Sequence, residues 1–306
     1  MFLAEGQRVS VRELLLGLAV ASGNDAAAAI ADFVSGSQSA FVERMNTEMK
    51  KLGLRYTRFA DASGYSELNA TTAREFASFA RTYLHLYPEA LKEFHSVQTL
   101  RYPQSHNSPR ENPSPPIVQK NTNPALGVIP GANGLKTGFI PESGYNLSLT
   151  VERDNLSILS VTLGGPGQGT VQGNAYRLKD AQSLTDYAYN NFKTASIPDS
   201  AQIPVGIIGG KTASLFARET APCTATVPAS ASQIRRTFEL PDFIYAPVTA
   251  GDKIGKAVYS VGNMRIKEIP LIADRSVEKS SRLKKIIDTA AKKLILLLRS
   301  GKRAAQ

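Results

Sequence analysis

The stretch Gly134-Leu135-Lys136-Thr137-Gly138-Phe139 lies where the sequence changes from helical to strand periodicity. After it, residues 145–152 and 156–163 are strand-like runs joined by Arg153-Asp154-Asn155, which is a hairpin signal. Ahead of it, apolar residues recur at the spacing of amphipathic helices. The stretch therefore predicts that a strand opens at Lys136, at the entrance to an antiparallel sheet.

Four helices are expected ahead of this stretch. Two of them start at a capping box, in which a hydroxyl residue and a glutamate three residues later cap each other's backbone. Ser10 pairs with Glu13 in the first box, and Thr72 with Glu75 in the second. The four helices are expected at residues 10–22, 25–34, 38–52 and 72–87. Residues 101–134 are rich in Pro and Asn and predict a long loop.

Beyond the strands, a helix is expected at residues 175–192, and short β-type runs then alternate with Pro and Gly. Such runs predict a small all-β domain. They lie at residues 203–208, 223–227, 233–240, 256–261 and 265–272. We therefore expect a mixed α/β (α+β) domain over residues 1–195, with an antiparallel sheet flanked by helices. A β-rich domain is expected over residues 196–275.

The remaining residues, 276–306, form a basic tail with an amphipathic helix expected at residues 276–299. Lysines lie opposite its apolar face, which consists of Leu283, Ile286, Ile287, Ala290, Leu294, Leu297 and Leu298. A basic amphipathic helix is typical of attachment to a membrane surface. A helix docked on its own domain is the alternative. No uncharged apolar run reaches the roughly 18–20 residues that span a bilayer.

The net charge of +10 at pH 7 attracts anionic partners without identifying them. Much of the excess lies in the tail, and no stripe of aromatic and basic residues accompanies it, so nucleic acid is not an expected partner. Cys223 is the only cysteine. His85, His95 and His106 show no ligand spacing and are interpreted as solvated or packed side chains. No metal site is expected.

Two short motifs carry polar groups suited to acyl transfer: Ser22-Gly23-Asn24 between two helices, and Lys136-Thr137-Gly138. A serine enzyme of this kind moves a proton to the leaving amine, holds the substrate amide and neutralises a carboxylate. A hydroxyl and an amide two residues apart on a tight turn can face one cleft. Lys-Thr-Gly on an edge strand supplies a charge, a hydroxyl and a position without a side chain, where a peptide can lie as an added strand.

With their neighbouring blocks, these motifs resemble the D-alanyl-D-alanine carboxypeptidases among the low-molecular-mass penicillin-binding proteins. The run Ser22-Gly23-Asn24-Asp25-Ala26-Ala27 resembles that family's second motif, and residues 134–139 with Ser143-Gly144-Tyr145-Asn146 resemble its third. The resemblance covers roughly residues 1–275. It implies a penicillin-binding, β-lactamase-like fold that removes the terminal D-alanine of peptidoglycan pentapeptides through an acyl-serine, with no metal or organic cofactor.

The resemblance also implies the role of each residue. Ser22 passes a proton toward the leaving D-alanine, and Asn24 holds the substrate amide. Lys136 sets the local field, Thr137 bonds the terminal carboxylate, and the backbone N–H of Phe139 donates to the oxyanion.

Two further residues complete this set. Gly138 belongs to the substrate-binding strand. Arg177 falls near an arginine of the family, and a surface or helix-stabilising arginine is the alternative. The expected partners are the peptidoglycan stem peptide and β-lactam antibiotics, and the protein is expected to be exported to the outer face of the cytoplasmic membrane or the periplasm.

The family's first motif is a Ser-x-x-Lys that carries the nucleophile. It is expected several tens of residues ahead of the second motif, and only 21 residues precede Ser22. The spacing recurs at Ser276 and Lys279 and at Ser281 and Lys284, but these pairs follow the third motif and are interpreted as coincidence.

We therefore expect a domain that is incomplete at its N-terminus, through a misplaced start codon, a gene break or a fragment, with a pseudoenzyme as the alternative. No signal peptide is visible in the sequence. The chain as given is expected to be inactive and to lack the serine that β-lactams acylate. A β-lactamase and a non-catalytic peptidoglycan-binding remnant are the rival functions.

Overall fold

The computed structural model describes residues 1–107, 115–197, 202–220 and 224–303, with side chains to residue 292. Cys223, and the side chains of Leu294, Leu297 and Leu298, lie outside this part. The chain divides into two compact units, Met1–Asn190 and Asn191–Gln306. Along the described part, no helix is long and apolar enough to cross a membrane.

The helices of the first unit lie close to their predicted positions. They are α1 (Val11–Ala21), α2 (Asn24–Ser35), α3 (Gln38–Lys51), α4 (Ala73–Leu86), a π-helical turn (Leu91–His95) and α5 (Gly169–Asn191). The capping box at Ser10 is confirmed, because Ser10 and Glu13 each accept a backbone N–H of the other. The box at Thr72 is only half formed: its hydroxyl caps Glu75, whose carboxylate instead accepts the backbone N–H groups of Arg55 and Tyr56.

The expectation of one long loop over residues 101–134 is wrong. Strand β1 (Thr99–Tyr102) pairs antiparallel with β2 (Ile117–Lys120), and β3 (Ala132–Ile140) begins before the segment ends. The side chains of Leu100 and Tyr102 alternate inward and are buried, which is a strand pattern too short to stand out beside the Pro-rich sequence that follows.

The sheet of the first unit is antiparallel in the order β3-β4-β5, with β4 at Gly144–Arg153 and β5 at Leu156–Gly165. The hairpin between β4 and β5 is confirmed, and Asp154 and Asn155 both have positive φ, as its two-residue turn requires. Strand β3 forms one edge, so the Lys-Thr-Gly motif lies on an edge strand, as predicted. It lies within the strand rather than at its start.

The core beneath this sheet joins β4 to α5. Leu147, Leu149 and Val151 of β4 point to one face and pack with Ala181 of α5 and with Ile129. The opposite side chains of β4 are polar and point to the other face, where the cleft described below lies. The sheet therefore holds β3 on a rigid, fully packed neighbour.

The second unit is a β structure with a C-terminal helix. Its strands are β6 (Phe192–Ser196), β7 (Gln202–Ile208), β8 (Ser214–Glu219), β9 (Thr224–Pro228), β10 (Arg235–Glu239), β11 (Phe243–Tyr245), β12 (Lys253–Val261) and β13 (Met264–Ala273). Six of them form a sheet in the order β10-β12-β13-β8-β7-β11, and β6 pairs with β9. Three were not predicted: β8 carries charged residues, β11 is very short, and the start of β6 was assigned to the preceding helix.

The last helix, α6 (Arg282–Arg303), begins later than predicted. Residues 276–281 are not helical, because Val277 pairs with Val248 in an antiparallel bridge and is buried in the β core. The hydroxyl of Ser281 then accepts the backbone N–H of Lys284 at 3.3 Å.

Candidate active site

The turn between α1 and α2 presents the first motif. Ser22 ends α1 in the left-handed conformation, with φ 53° and ψ 43°, and Asn24 begins α2. A non-glycine residue with positive φ is uncommon and is often found at functional sites. Gly23 lies in a close approach, since a Cβ there would lie 2.8 Å from a carboxylate oxygen of Asp25, which would have to shift. The turn leaves the side chains of Ser22 and Asn24 exposed.

Strand β3 brings the second motif against this turn. The Lys136 ammonium donates to Ser22 Oγ at 2.9 Å and to the carbonyl oxygen of Thr137 at 2.9 Å. Residues 114 positions apart in the sequence therefore share one hydrogen bond. A hydroxyl and a cation in direct contact can pass a proton to a third group bound beside them.

Thr137 is buried, and its hydroxyl donates to Thr122 Oγ1 at 2.7 Å. The segment that carries Thr122 is tied down on both sides. Asn121 donates to the carbonyl oxygen of Val97 at 2.8 Å, and Asn123 donates to that of Gly134 at 3.0 Å. The site thus includes Thr122, to which the sequence analysis assigned no role.

The two motifs line one cleft of about 720 Å³. Six of the predicted site residues are on its wall: Ser22, Asn24, Lys136, Thr137, Gly138 and Phe139. The rim is partly aromatic, since Tyr65 and Phe139 are exposed and Phe139 stacks on Tyr145 with ring centroids 4.3 Å apart. The cleft therefore offers a polar floor and an apolar rim.

Arg177 does not line the cleft. It is buried in α5, so the alternative of a surface arginine is wrong. Its guanidinium donates to the carbonyl oxygen of Gly138 and, at 2.8 Å, to Asn174 Oδ1. It also lies 4.8 Å from the ring centroid of Tyr145. Arg177 therefore supports β3 through the Gly138 carbonyl oxygen and adds a positive charge near Lys136.

The electrostatics of the cleft are those of an unneutralised cation. Among the described residues, no carboxylate forms an ion pair with Lys136 or Arg177. Burial, reinforced by the charge of Arg177, lowers the pKa of Lys136 from 10.5 to about 8. Burial also lowers the pKa of Arg177. The cleft wall therefore carries one cation, Lys136, that no described carboxylate neutralises.

A larger cavity of about 900 Å³ lies between α4 and the sheet. Arg74 and Arg81 contribute cations and Leu84 and Ile158 apolar surface, but none of the motif residues reaches it. Within the described part of the chain, no group of His, Cys, Asp and Glu side chains is arranged to hold a metal ion.

Comparison with known proteins defines the class. The family described as D-alanyl-D-alanine carboxypeptidase matches residues 1–167, and the C-terminal domain of penicillin-binding protein 5 matches residues 199–279. The chain belongs to the D-alanyl-D-alanine carboxypeptidase family of low-molecular-mass penicillin-binding proteins. These are serine-type enzymes of the cell wall that act on peptidoglycan stem peptides and bind β-lactams.

Individual relatives agree with this assignment. The chain is 27% identical over 285 residues to D-alanyl-D-alanine carboxypeptidase DacF of Bacillus subtilis, covering 92% of this chain and 69% of that one. It is 30% identical over 295 residues to DacD of Salmonella typhimurium, covering 94% and 70%. The crystal structure of penicillin-binding protein 5 from Haemophilus influenzae superposes with a TM-score of 0.77 at 26% identity, covering 91% and 78%.

Proposed function

We propose that the cleft binds the D-alanyl-D-alanine end of a peptidoglycan stem peptide as an added strand along β3. The observation that carries the proposal is the 2.9 Å hydrogen bond from Lys136 Nζ to Ser22 Oγ, which joins the two motifs across the cleft. The peptide bond that the family's reaction cleaves, next to the terminal D-alanine, then lies beside this pair.

In this proposal Lys136 and Ser22 form the proton path to the leaving amine. Because Lys136 donates to Ser22 Oγ, the Ser22 proton is free to point toward the substrate nitrogen. With a pKa of about 8, Lys136 is protonated at neutral pH and can replace the proton that Ser22 gives up. Among the described residues, none hydrogen-bonds the Asn24 side chain, so its amide is available for the substrate amide.

The terminal carboxylate binds beside Lys136 and Thr137 in this arrangement. Gly138 supports this placement, since a Cβ there would meet Asn146 at an ordinary 3.7 Å, and the protein's own packing does not demand glycine. The missing side chain instead leaves room for a peptide alongside β3. The backbone N–H of Phe139 serves as an oxyanion donor, and Arg177 holds the strand through Gly138.

A binding measurement tests the cleft. A peptide that ends in D-alanyl-D-alanine, added to the ¹⁵N-labelled chain, is expected to shift the NMR signals of Ser22, Lys136 and Thr137. The matched peptide ending in L-alanyl-L-alanine is expected to leave them in place. Equal shifts with both peptides would show that the cleft does not select the D-alanyl end, and shifts confined to residues of the 900 Å³ cavity would place the substrate elsewhere.

A second candidate function, a non-catalytic peptidoglycan-binding protein, is favoured by one observation. No serine of the described cleft wall has a lysine three residues later. The two serines with that spacing belong to the second unit and are engaged there: Ser276 accepts the Ala250 N–H at 2.8 Å, and Ser281 caps α6. The match to the penicillin-binding protein 5 C-terminal domain favours both candidates over a β-lactamase.

We also propose that α6 attaches the protein to the outer face of the cytoplasmic membrane. The helix contacts the β unit through its polar face: Asp288 accepts the Gly209 N–H at 2.9 Å, and the Lys292 ammonium lies 5.2 Å from the ring centroid of Tyr245. Its apolar face remains exposed, at 68% for Leu283, 65% for Ile286 and 58% for Ile287. A docked helix normally buries its apolar face, so this orientation fits a lipid surface.

In this proposal the penicillin-binding domain (residues 1–195) carries the cleft and the β domain (residues 196–275) presents the tail (residues 276–306). Three substitutions in α6, Leu283→Ser, Ile286→Ser and Ile287→Ser, are expected to abolish co-sedimentation with phosphatidylglycerol vesicles. Phe33→Ser with Val34→Ser, which removes exposed apolar surface from α2, is the control and should co-sediment like the parent. Unchanged sedimentation of the α6 variant would reject the attachment. Deleting from residue 276 is a poorer test, because it removes the buried Val277.

A further inference from the structure

His95 is a half-buried imidazole with a defined partner on each ring nitrogen. Nδ1 lies 3.1 Å from the carbonyl oxygen of Leu135 on β3, and Nε2 lies 2.9 Å from the Tyr83 hydroxyl on α4. The two rings also meet edge to face, with centroids 5.6 Å apart. The imidazole therefore bridges a helix to the edge strand at the residue before Lys136.

The partners determine which nitrogen carries the proton. A carbonyl oxygen only accepts, so Nδ1 of His95 must donate to Leu135. Burial, with a smaller contribution from the charge of Lys136, lowers the pKa of His95, so the ring is neutral and Nε2 accepts the Tyr83 proton. Burial raises the pKa of Tyr83, which keeps that hydroxyl protonated.

The bridge acts on an edge strand of the sheet. As an edge strand, β3 has a strand partner on one side only. Upstream of Lys136, Asn123 holds the carbonyl oxygen of Gly134 at 3.0 Å and His95 holds that of Leu135. Downstream, Arg177 holds that of Gly138. Lys136 lies between these fixed points, and a shift of about 1 Å in a catalytic group can cost about 100-fold in rate.

We propose that Tyr83 and His95 are positioning residues, which hold β3 so that the Lys136 ammonium reaches Ser22. This inference rests on the proposed role of Lys136, but it concerns geometry and can be tested without turnover. The charged and titratable groups near the pair are Lys136, beside His95, and Glu89 and Tyr87, beside Tyr83.

The tautomer provides the first test, on the full chain. Long-range ¹H–¹⁵N NMR of the His95 ring is expected to show a protonated Nδ1 and an unprotonated Nε2 at pH 7. The exposed His85 and His106 serve as internal references. A His95 ring protonated at Nε2 alone would overturn the proposal, because Leu135 would then have no donor.

The second test measures the pKa of Lys136 by NMR titration of its side-chain signals in lysine-labelled protein. The Lys136 signal is identified by its loss in Lys136→Arg. In His95→Leu, the Lys136 pKa is expected to rise from about 8 toward 10.5, because the freed strand lets the ammonium reach solvent. His95→Asn keeps a donor near the Nδ1 position and should retain the parental value. His85→Leu, on the exposed side of α4, is the matched control.

If His95→Leu does not fold, Tyr83→Phe tests the positioning role instead, since it removes only one hydroxyl. It is expected to move the Lys136 pKa in the same direction by a smaller amount and to shift the backbone amide signals of Leu135 and Lys136. An unchanged Lys136 pKa with unchanged amide signals, in folded His95→Leu or in Tyr83→Phe, would show that the pair does not position the lysine. If the Lys136 pKa responds to these substitutions as expected but the D-alanyl-D-alanine peptide does not bind, the proposed function is wrong and the positioning role is retained.

Discussion

The cleft of the first unit and the sheet of the second differ in whether their charged side chains have a partner of opposite charge. In the second unit, Lys256 lies 2.9 Å from Glu268 and 3.3 Å from Glu239, and the buried Glu219 accepts the Tyr259 hydroxyl at 2.5 Å. Burial and Glu219 raise the pKa of Tyr259 to about 12, so this hydroxyl stays protonated. In the cleft, the described residues bring no carboxylate to Lys136.

This difference separates charges that serve the fold from charges that serve a ligand. A buried cation without an anion costs folding free energy, and such groups persist where they perform a function. The charged residues of the second unit are already paired with each other and need no ligand to neutralise them. Under the proposed function, the terminal carboxylate of the stem peptide supplies the anion that the described residues do not bring to Lys136.

The largest expected effect concerns covalent chemistry. We expect no stable adduct when the chain is incubated with a fluorescent penicillin and examined by denaturing gel and intact mass. Acylation needs a hydroxyl activated by a neighbouring base, and Ser22 has Asp25, not lysine, three residues later. A stoichiometric adduct that is lost on mutating any one serine of the chain would identify a nucleophile and make the cleft an acylating site.

The second prediction concerns stability. Lys136→Met is expected to raise the free energy of unfolding at pH 7 by about 1–3 kcal/mol, because it removes a buried charge whose pKa is strongly lowered. Between pH 8 and 10.5 only the unfolded parent binds the lysine proton, so the parent gains stability as pH rises and the difference shrinks.

Lys256→Met is the control for this measurement. Its paired carboxylates raise the pKa of Lys256, and no stabilisation is expected. Urea unfolding of the parent and both variants at pH 7 and pH 9.5 makes the comparison. A Lys136→Met variant less stable than the parent at pH 7 would show that the buried charge of Lys136 does not destabilise the fold.

The smallest expected effect concerns Thr137. Thr137→Val keeps the shape but loses the hydroxyl, and should weaken binding of a D-alanyl-D-alanine peptide by about 10-fold, the low end of the value of a hydrogen bond to a charged group. Thr137→Ser should bind like the parent. Loss of affinity in both variants would indicate a packing role against Thr122 instead.

The sequence predicted the elements that carry strong local signals. The capping box at Ser10, the Arg153-Asp154-Asn155 hairpin and the strand at residues 145–152 each depend on neighbouring residues, and each appears as predicted. Strands β1 and β11 did not, because four and three residues give too short a period to recognise. The start of α6 was misplaced because Val277 bonds to Val248, a contact between distant residues that no local pattern shows.

The residues of the site likewise divide into those that a sequence motif identified and those that only the fold brings into contact. The motifs identified Ser22, Asn24 and Lys136 by type and spacing, and the geometry brings all three to one cleft. Thr122, Tyr83 and His95 act through contacts with β3 that only the fold creates. One signal was available for Thr122, since it lies within the Asn121-Thr122-Asn123 block that resembles the family. For His95, a lone histidine at the end of a helix gave none.

Affinity for a free carboxylate is the most direct test of the cleft. Isothermal titration calorimetry would compare a peptide ending in D-alanyl-D-alanine with the same peptide ending in an amide, on the parent and on Lys136→Ala. The parent is expected to prefer the free acid by about 10- to 100-fold, the value of one charge-assisted hydrogen bond, and Lys136→Ala to bind both peptides about equally. The control Lys256→Ala should keep the parental preference. If Lys136→Ala discriminates as strongly as the parent, the unpaired cation of the cleft does not recognise the carboxylate, and the contrast with the second unit has no functional meaning.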